Sequence, residues 1–190
     1  LSNNRQRNLL RYSLACLNLP QPSYKQLFEF TKNLVNKNNK SNAFFSWSGV
    51  YIYRYNSNLY LITQNDKITN IKDIKIFPNN KMISLGPGMG TISLAQSEAK
   101  GIDLELAKKG LDITFRKGGE SFKPMGSIHT RRLKKLLQEK KIFPWMRDKI
   151  PLLMYENELV GVGNLWVAEK FSSYNGCILS WYDRPEVNER

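Results

Sequence analysis

The sequence predicts an α+β protein of two small domains: an N-terminal pair of helices on an antiparallel meander (1–78) and a C-terminal mixed sheet with one main basic helix (79–190). Three observations carry that expectation. The apolar period switches from helical to alternating near Ala43, turn residues punctuate the chain after residue 78, and positive charge falls into two blocks. The 190 residues, 41% of them hydrophobic and 12% aromatic, are enough to bury a core and too apolar for a disordered tail.

In the first domain, Leu10, Leu14 and Leu17 recur at helical spacing, with Arg5, Arg7 and Arg11 mostly off that face, which predicts a short basic helix over Asn4 to Leu17. After Pro20 and Pro22, the pair Ser23 and Gln26 has capping-box spacing and opens a second helix with Leu27, Phe28, Thr31, Leu34 and Val35 facing inward. Lys37 to Asn42 reads as a polar loop. From Ala43 the runs FFSW, VYIYRY and LYLI alternate, separated by Gly49 and by Asn56-Ser57-Asn58, and predict three antiparallel strands. The second domain reads as strands at Ile92 to Gln96 and Leu111 to Arg116, a glycine loop, a helix over Arg131 to Lys141, and strands at Leu152 to Tyr155, Leu159 to Val162 and Ile178 to Tyr182.

The net charge of +13 is uneven: +8 over 1–78, zero over 79–115, +8 over 116–149 and −3 over 150–190. Two basic blocks around a neutral stretch suit a long polyanion followed along its backbone. The second block holds eleven Lys or Arg against Glu120, Glu139 and Asp148, with Gly118-Gly119 and Trp145 among them, and makes nucleic acid the leading partner. If Arg131 and Arg132 stand in a first helical turn, the macrodipole opposes each by about 0.3–1 kcal/mol, and a bound phosphate offsets that cost. For any single cation a solvated surface charge is the ordinary reading, so the cluster speaks more strongly than its members.

Other chemistry is poorly served. Cys16, Cys177 and the lone His129 show neither zinc spacing nor a disulfide framework, which makes a reduced, cytoplasmic setting the expectation. Neither a membrane-length apolar run nor a signal-peptide pattern is present. Gly86-Pro87-Gly88-Met89-Gly90 lacks the Lys-Ser or Lys-Thr of a phosphate loop and reads as a turn. Glu156 and Glu158 read as a solvent-facing hairpin, and no catalytic residue is identified. The first residue, Leu1, suggests an excised or processed piece of a longer protein.

The run FRKGGESFKPMGSIHTRRLKKLLQEKKIFPWMRDKIPLLMYENELVGVGNLWV resembles the C-terminal domain of bacterial tRNA(Ile)-lysidine synthetases, whose pattern is an R-x-G-G-E loop, an R-x-L-K-K-L-F-Q-E helix, a P-W-x-R step and a P-L-[ILV] strand. RNLLRYSL, the Pro-Ser step and YRYNSNLYLI resemble the same enzyme's substrate-binding domain, and SLGPGMGTISL the stretch between. The resemblance implies a ligase that uses ATP, with magnesium, to adenylate the wobble cytidine of an isoleucine tRNA with a CAU anticodon, which lysine then attacks. It places that chemistry in an N-terminal PP-loop domain with an S-G-G-x-D-S motif that these residues do not contain, so the chain is expected to be the tRNA-recognition half, inactive alone and without a cofactor of its own, its oligomeric state open and a dimer among the options. Carried onto matching positions, the expected tRNA contacts are Arg116, Lys117, Gly118, Gly119, Arg131, Arg132, Lys134, Lys135, Trp145 and Arg147. Trp145 reads first as a packed aromatic, Lys134 sits near the helix's core face, and Gly118 and Gly119 also suit a tight turn. A stand-alone RNA-binding module and a domain for an acidic protein partner are the alternatives.

Overall fold

The computed structural model describes residues 1–35, 44–63, 74–79 and 81–188, with the side chains of Leu34 and Val35 excepted. The expected polar loop Lys37 to Asn42 lies outside them. Two compact units result, Leu1–Asn65 and Asp66–Arg190. Residues 66–78, assigned to the first domain on sequence, fall in the second unit, because Lys75–Ile76 is a strand of its sheet.

In the first unit α1 (Asn3–Cys16) is capped by Ser2 and α2 (Tyr24–Phe30) by the reciprocal Ser23–Gln26 box that the spacing predicts. A π-helical turn, Thr31–Val35, continues α2, and the buried Thr31 hydroxyl donates back to the carbonyls of Leu27 and Phe28. Strands β1 (Phe44–Trp47), β2 (Val50–Tyr55) and β3 (Asn58–Thr63) form the expected antiparallel meander. Both connections are two-residue turns at positive φ, Ser48-Gly49 and Asn56-Ser57, whose twist matches the strands they join.

Leu14, Phe30, Trp47, Val50 and Ile52 form the core of this unit, and the Trp47 indole donates to the Pro20 carbonyl at 2.8 Å. Two expected core residues face out. Leu17 lies just past the end of α1 and is exposed. Phe28 is exposed because its ring, with that of Tyr24, carries the Arg7 guanidinium at 5.4 and 5.8 Å. Phe30 takes the inward place instead.

The second unit runs β4 (Lys75–Ile76), β5 (Ile83–Ser84), β6 (Thr91–Gln96), β7 (Gly101–Ile102), α3 (Leu104–Lys108), β8 (Leu111–Phe115), β9 (Ser121–Phe122), β10 (Arg131–Arg132) and α4 (Leu133–Glu139). It closes with β11 (Pro151–Tyr155), β12 (Glu158–Val162), β13 (Trp166–Val167), β14 (Ser172–Ser173) and β15 (Cys177–Tyr182). The α+β class holds. The single mixed sheet does not: the pairs among the described residues are antiparallel and build two five-stranded sheets, β13-β12-β11-β8-β4 and β14-β7-β15-β6-β5, beside the small β9–β10 ladder.

The two large sheets adjoin where Gly161 of β12 faces Ile102 of β7, while Gly163, just past β12 at φ +46°, lies against Ile150. The Glu156-Asn157 turn between β11 and β12 is the hairpin expected on sequence, and Glu158 pairs with Lys170 at 2.6 Å. Among the described residues no helix is long and apolar enough to cross a membrane.

Candidate nucleic-acid interface

Residues 116–149 are bound to one another through a few polar contacts. Arg116 follows β8 with its side chain 13% exposed, and its Nη1 donates to Asp148 at 2.8 Å. Its Nε lies 3.3 Å from Glu120, an ion pair without hydrogen-bond alignment. Glu120 in turn accepts from the backbone N–H groups of Lys117 and Gly118, both at 2.6 Å, while its own carbonyl accepts from the Leu133 N–H that opens α4. The loop, the start of the helix and the Pro144–Met146 turn are thus held together through Arg116 and Glu120.

Gly118 and Gly119 sit at φ +99° and +89°, and a Cβ on either would meet nothing within 4 Å. Their positive φ is the backbone conformation that a tight turn here requires, which glycine adopts without strain. The loop's inward N–H groups already hold an anion, the Glu120 carboxylate.

Burial acts to raise the Glu120 pKa, but the backbone donors of Glu120, Gly118 and Lys117 and the charge of Arg116 outweigh it and bring the value below the ordinary 4.5. A depressed carboxyl contributes stability that is complete above its ordinary value and is lost as pH falls through the folded one. Glu120→Gln should accordingly melt below the parent protein near neutral pH, and the gap should narrow steadily beneath pH 4.5. A gap that is constant with pH in paired thermal melts would deny Glu120 this role.

The main helix is shorter than its apolar period suggests. Arg131 and Arg132 precede it as β10, opposite Phe122 and Ser121 of β9, and Arg132 is the extended residue just before the first turn. Neither lies inside the first turn; with α4 opening at Leu133, Lys134 and Lys135 take those positions and Arg132 the cap, so the unfavourable placement against the macrodipole passes to the two lysines. Arg131 instead pairs with Glu139. Leu133, Leu136 and Leu137 are buried as expected, which turns Lys134 and Lys135 outward, Lys134 included.

All three acids of the block are thus taken by two arginines, Arg116 and Arg131. Seven other cations of the block lie outside the ion pairs described. Lys117, Arg132, Lys134 and Lys135 are exposed and, among the described residues, enter no ion pair, and the same holds for Lys123, Lys140 and Lys141, which sequence reasoning did not single out. Their only signal in the sequence is the charge count. Trp145 packs its ring on Phe143 at 4.7 Å and 11°, and Arg147 donates from Nε to the Ile142 carbonyl at 3.0 Å, so both brace the turn after the helix.

The adjoining cleft, about 660 Å³, is lined by Glu120, Glu158 and Glu169 as well as Lys123 and Lys170, a mixed lining unsuited to a bare phosphate. The Gly86–Gly90 segment is a turn closed by the Leu85 N–H to the Gly90 carbonyl, with Met89 buried and its carbonyl accepting from the Trp181 indole. Among the described residues no three His, Cys, Asp or Glu side chains stand together as metal ligands.

What the arrangement can do is attract and hold a polyanion along a face built on a rigid loop and a short helix. Residues 111–181 match the family described as the TilS substrate C-terminal domain, and residues 1–60 the TilS substrate binding domain. The chain is similar to a tRNA(Ile)-lysidine synthase of Photobacterium profundum, 32% identical over 181 residues, covering 92% of this chain and 40% of that protein. The corresponding proteins of Vibrio vulnificus (33%, covering 91% and 39%) and Coxiella burnetii (30%, covering 91% and 38%) align likewise. The chain spans about 40% of the length of these curated relatives.

Proposed function

Because the chain belongs to the tRNA(Ile)-lysidine synthase family, carrying its substrate-binding and C-terminal domains, we propose that it is the part of such a ligase that recognises and holds an isoleucine tRNA with a CAU anticodon. One observation carries this reading: the acids of the 116–149 block are consumed internally, leaving Lys117, Arg132, Lys134 and Lys135 as exposed cations on a braced frame. A sugar-phosphate backbone is the ligand that rewards such a surface, each contact releasing counterions.

Of the ten expected contacts, Lys117, Arg132, Lys134 and Lys135 are proposed to meet phosphate. Arg116, Gly118, Gly119, Arg131, Trp145 and Arg147 are proposed to shape the surface that does so. In the whole enzyme ATP with magnesium would activate the wobble cytidine for attack by the lysine amine. The residues here do not fit that group, since the glycine loop's donors are filled by Glu120. Adenylation is therefore assigned to a PP-loop domain and tRNA positioning to this chain, in the cytoplasm.

A ribonuclease footprint of the chain on isoleucine tRNA, run beside a methionine tRNA with the same anticodon sequence, tests the reading. Protection confined to the isoleucine tRNA, or stronger on it, is expected at 0.1 M salt, with affinity falling steeply as salt rises. Equal and salt-insensitive protection of both, or none, would overturn it.

A further inference from the structure

The outer face of the first unit's sheet is aromatic. Along β2, Val50 and Ile52 point into the core, each 1% exposed, so Tyr51, Tyr53 and Tyr55 point the other way. The register sets Phe44 of β1 and Tyr60 of β3 on either side of Tyr53. Tyr51 and Tyr53 lie nearly parallel, 14° apart with centroids at 6.4 Å, while Phe44 is 5.5 Å from Tyr53 and 6.2 Å from Tyr51. Tyr55 and Tyr60 meet at 6.5 Å. Phe44 is 55% exposed and the four tyrosines are partly so. The described core of the unit lies on the opposite face.

Charge narrows the choice of occupant. Residues 1–65 contain eight Lys or Arg and one carboxylate, Glu29. Flat aromatic faces on a sheet, set in a strongly cationic unit, suit a partner that is both polyanionic and aromatic.

We propose that Phe44, Tyr51, Tyr53, Tyr55 and Tyr60 form a stacking platform for unpaired bases of the bound RNA, a role that rests on the tRNA reading above and adds base contacts to its phosphate contacts. Stacking needs no particular base, because every base offers a π-face, so the platform selects single-stranded over duplex RNA rather than one sequence over another.

The test uses the full chain with three probes: isoleucine tRNA, a short oligouridine and a blunt RNA duplex of equal length. In the Tyr51→Leu/Tyr53→Leu variant, oligouridine affinity should drop about tenfold or more while duplex affinity holds, and Tyr51→Phe/Tyr53→Phe should stay within about twofold of the parent. Ultraviolet crosslinking of oligouridine to the parent chain should map by mass spectrometry to peptides spanning 44–60. A leucine variant that melts like the parent and binds oligouridine equally well, or crosslinks confined to other peptides, would overturn the platform.

Lys134→Glu/Lys135→Glu, run in parallel, separates the two failures. If it loses tRNA while the leucine variant loses nothing, the platform alone falls. If the parent chain binds none of the three RNAs, both readings fall.

Discussion

Reversing two charges, Lys134→Glu/Lys135→Glu, should cost on the order of 100-fold or more in tRNA affinity at 0.1 M salt and leave the melting temperature nearly unchanged. Each phosphate contact contributes roughly one unit to the slope of log affinity against log salt, so at 0.1 M each is worth about tenfold. Both side chains are exposed and outside every ion pair among the described residues, and α4 is held by Leu133, Leu136 and Leu137 on its other side. The slope should fall by about two. The contrast is Arg131→Ala, which removes the partner of Glu139: it should perturb the β10–α4 junction while reducing the slope less than loss of either lysine. A salt titration by filter binding or anisotropy measures both quantities at once. An unaltered slope in the folded double variant would detach this helix from the RNA.

Gly90→Ala should cost more than about 4 kcal/mol, a large share of the roughly 5–15 kcal/mol that keeps a domain folded. Gly90 sits at φ +74°, and an added Cβ would stand 2.1 Å from the Tyr182 carbonyl oxygen and 2.8 Å from backbone atoms of Asp183. Side-chain rotation cannot relieve a collision with backbone, so β6 and β15, paired over six residues, would have to part. Gly118→Ala is the internal comparison. Its φ is +99° but its surroundings are empty, so only the conformational penalty of about 1 kcal/mol applies. Urea unfolding of the two variants should separate them by several kcal/mol, and similar midpoints would refute the steric account.

The first unit was legible because its signals are local. The Ser23–Gln26 box, the two-residue turns and the alternation of VYIYRY depend on neighbours a few residues away, and each appears where the pattern places it. The two-residue strands β4, β5, β7, β9, β10, β13 and β14 were not legible, since pairing with distant segments fixes them and two residues carry no period. Arg131-Arg132 shows the consequence for the site: helical propensity extends through them, yet the ladder to Ser121-Phe122 claims them first. Cation density is read directly from the sequence, whereas which cations are spoken for depends on where Glu120, Glu139 and Asp148 reach in space. The outward aromatics of β2 were visible as alternation but gained meaning only once the register set Phe44 and Tyr60 beside Tyr53.

The carboxylate lodged in the Lys117–Glu120 turn has a kinetic implication. A turn whose donors are satisfied from within is already folded when an RNA drifts near, and little chain entropy is surrendered on contact. Under the proposed reading, capture would then proceed at a pace governed by long-range attraction between the lysines and the approaching strand rather than by ordering of the loop.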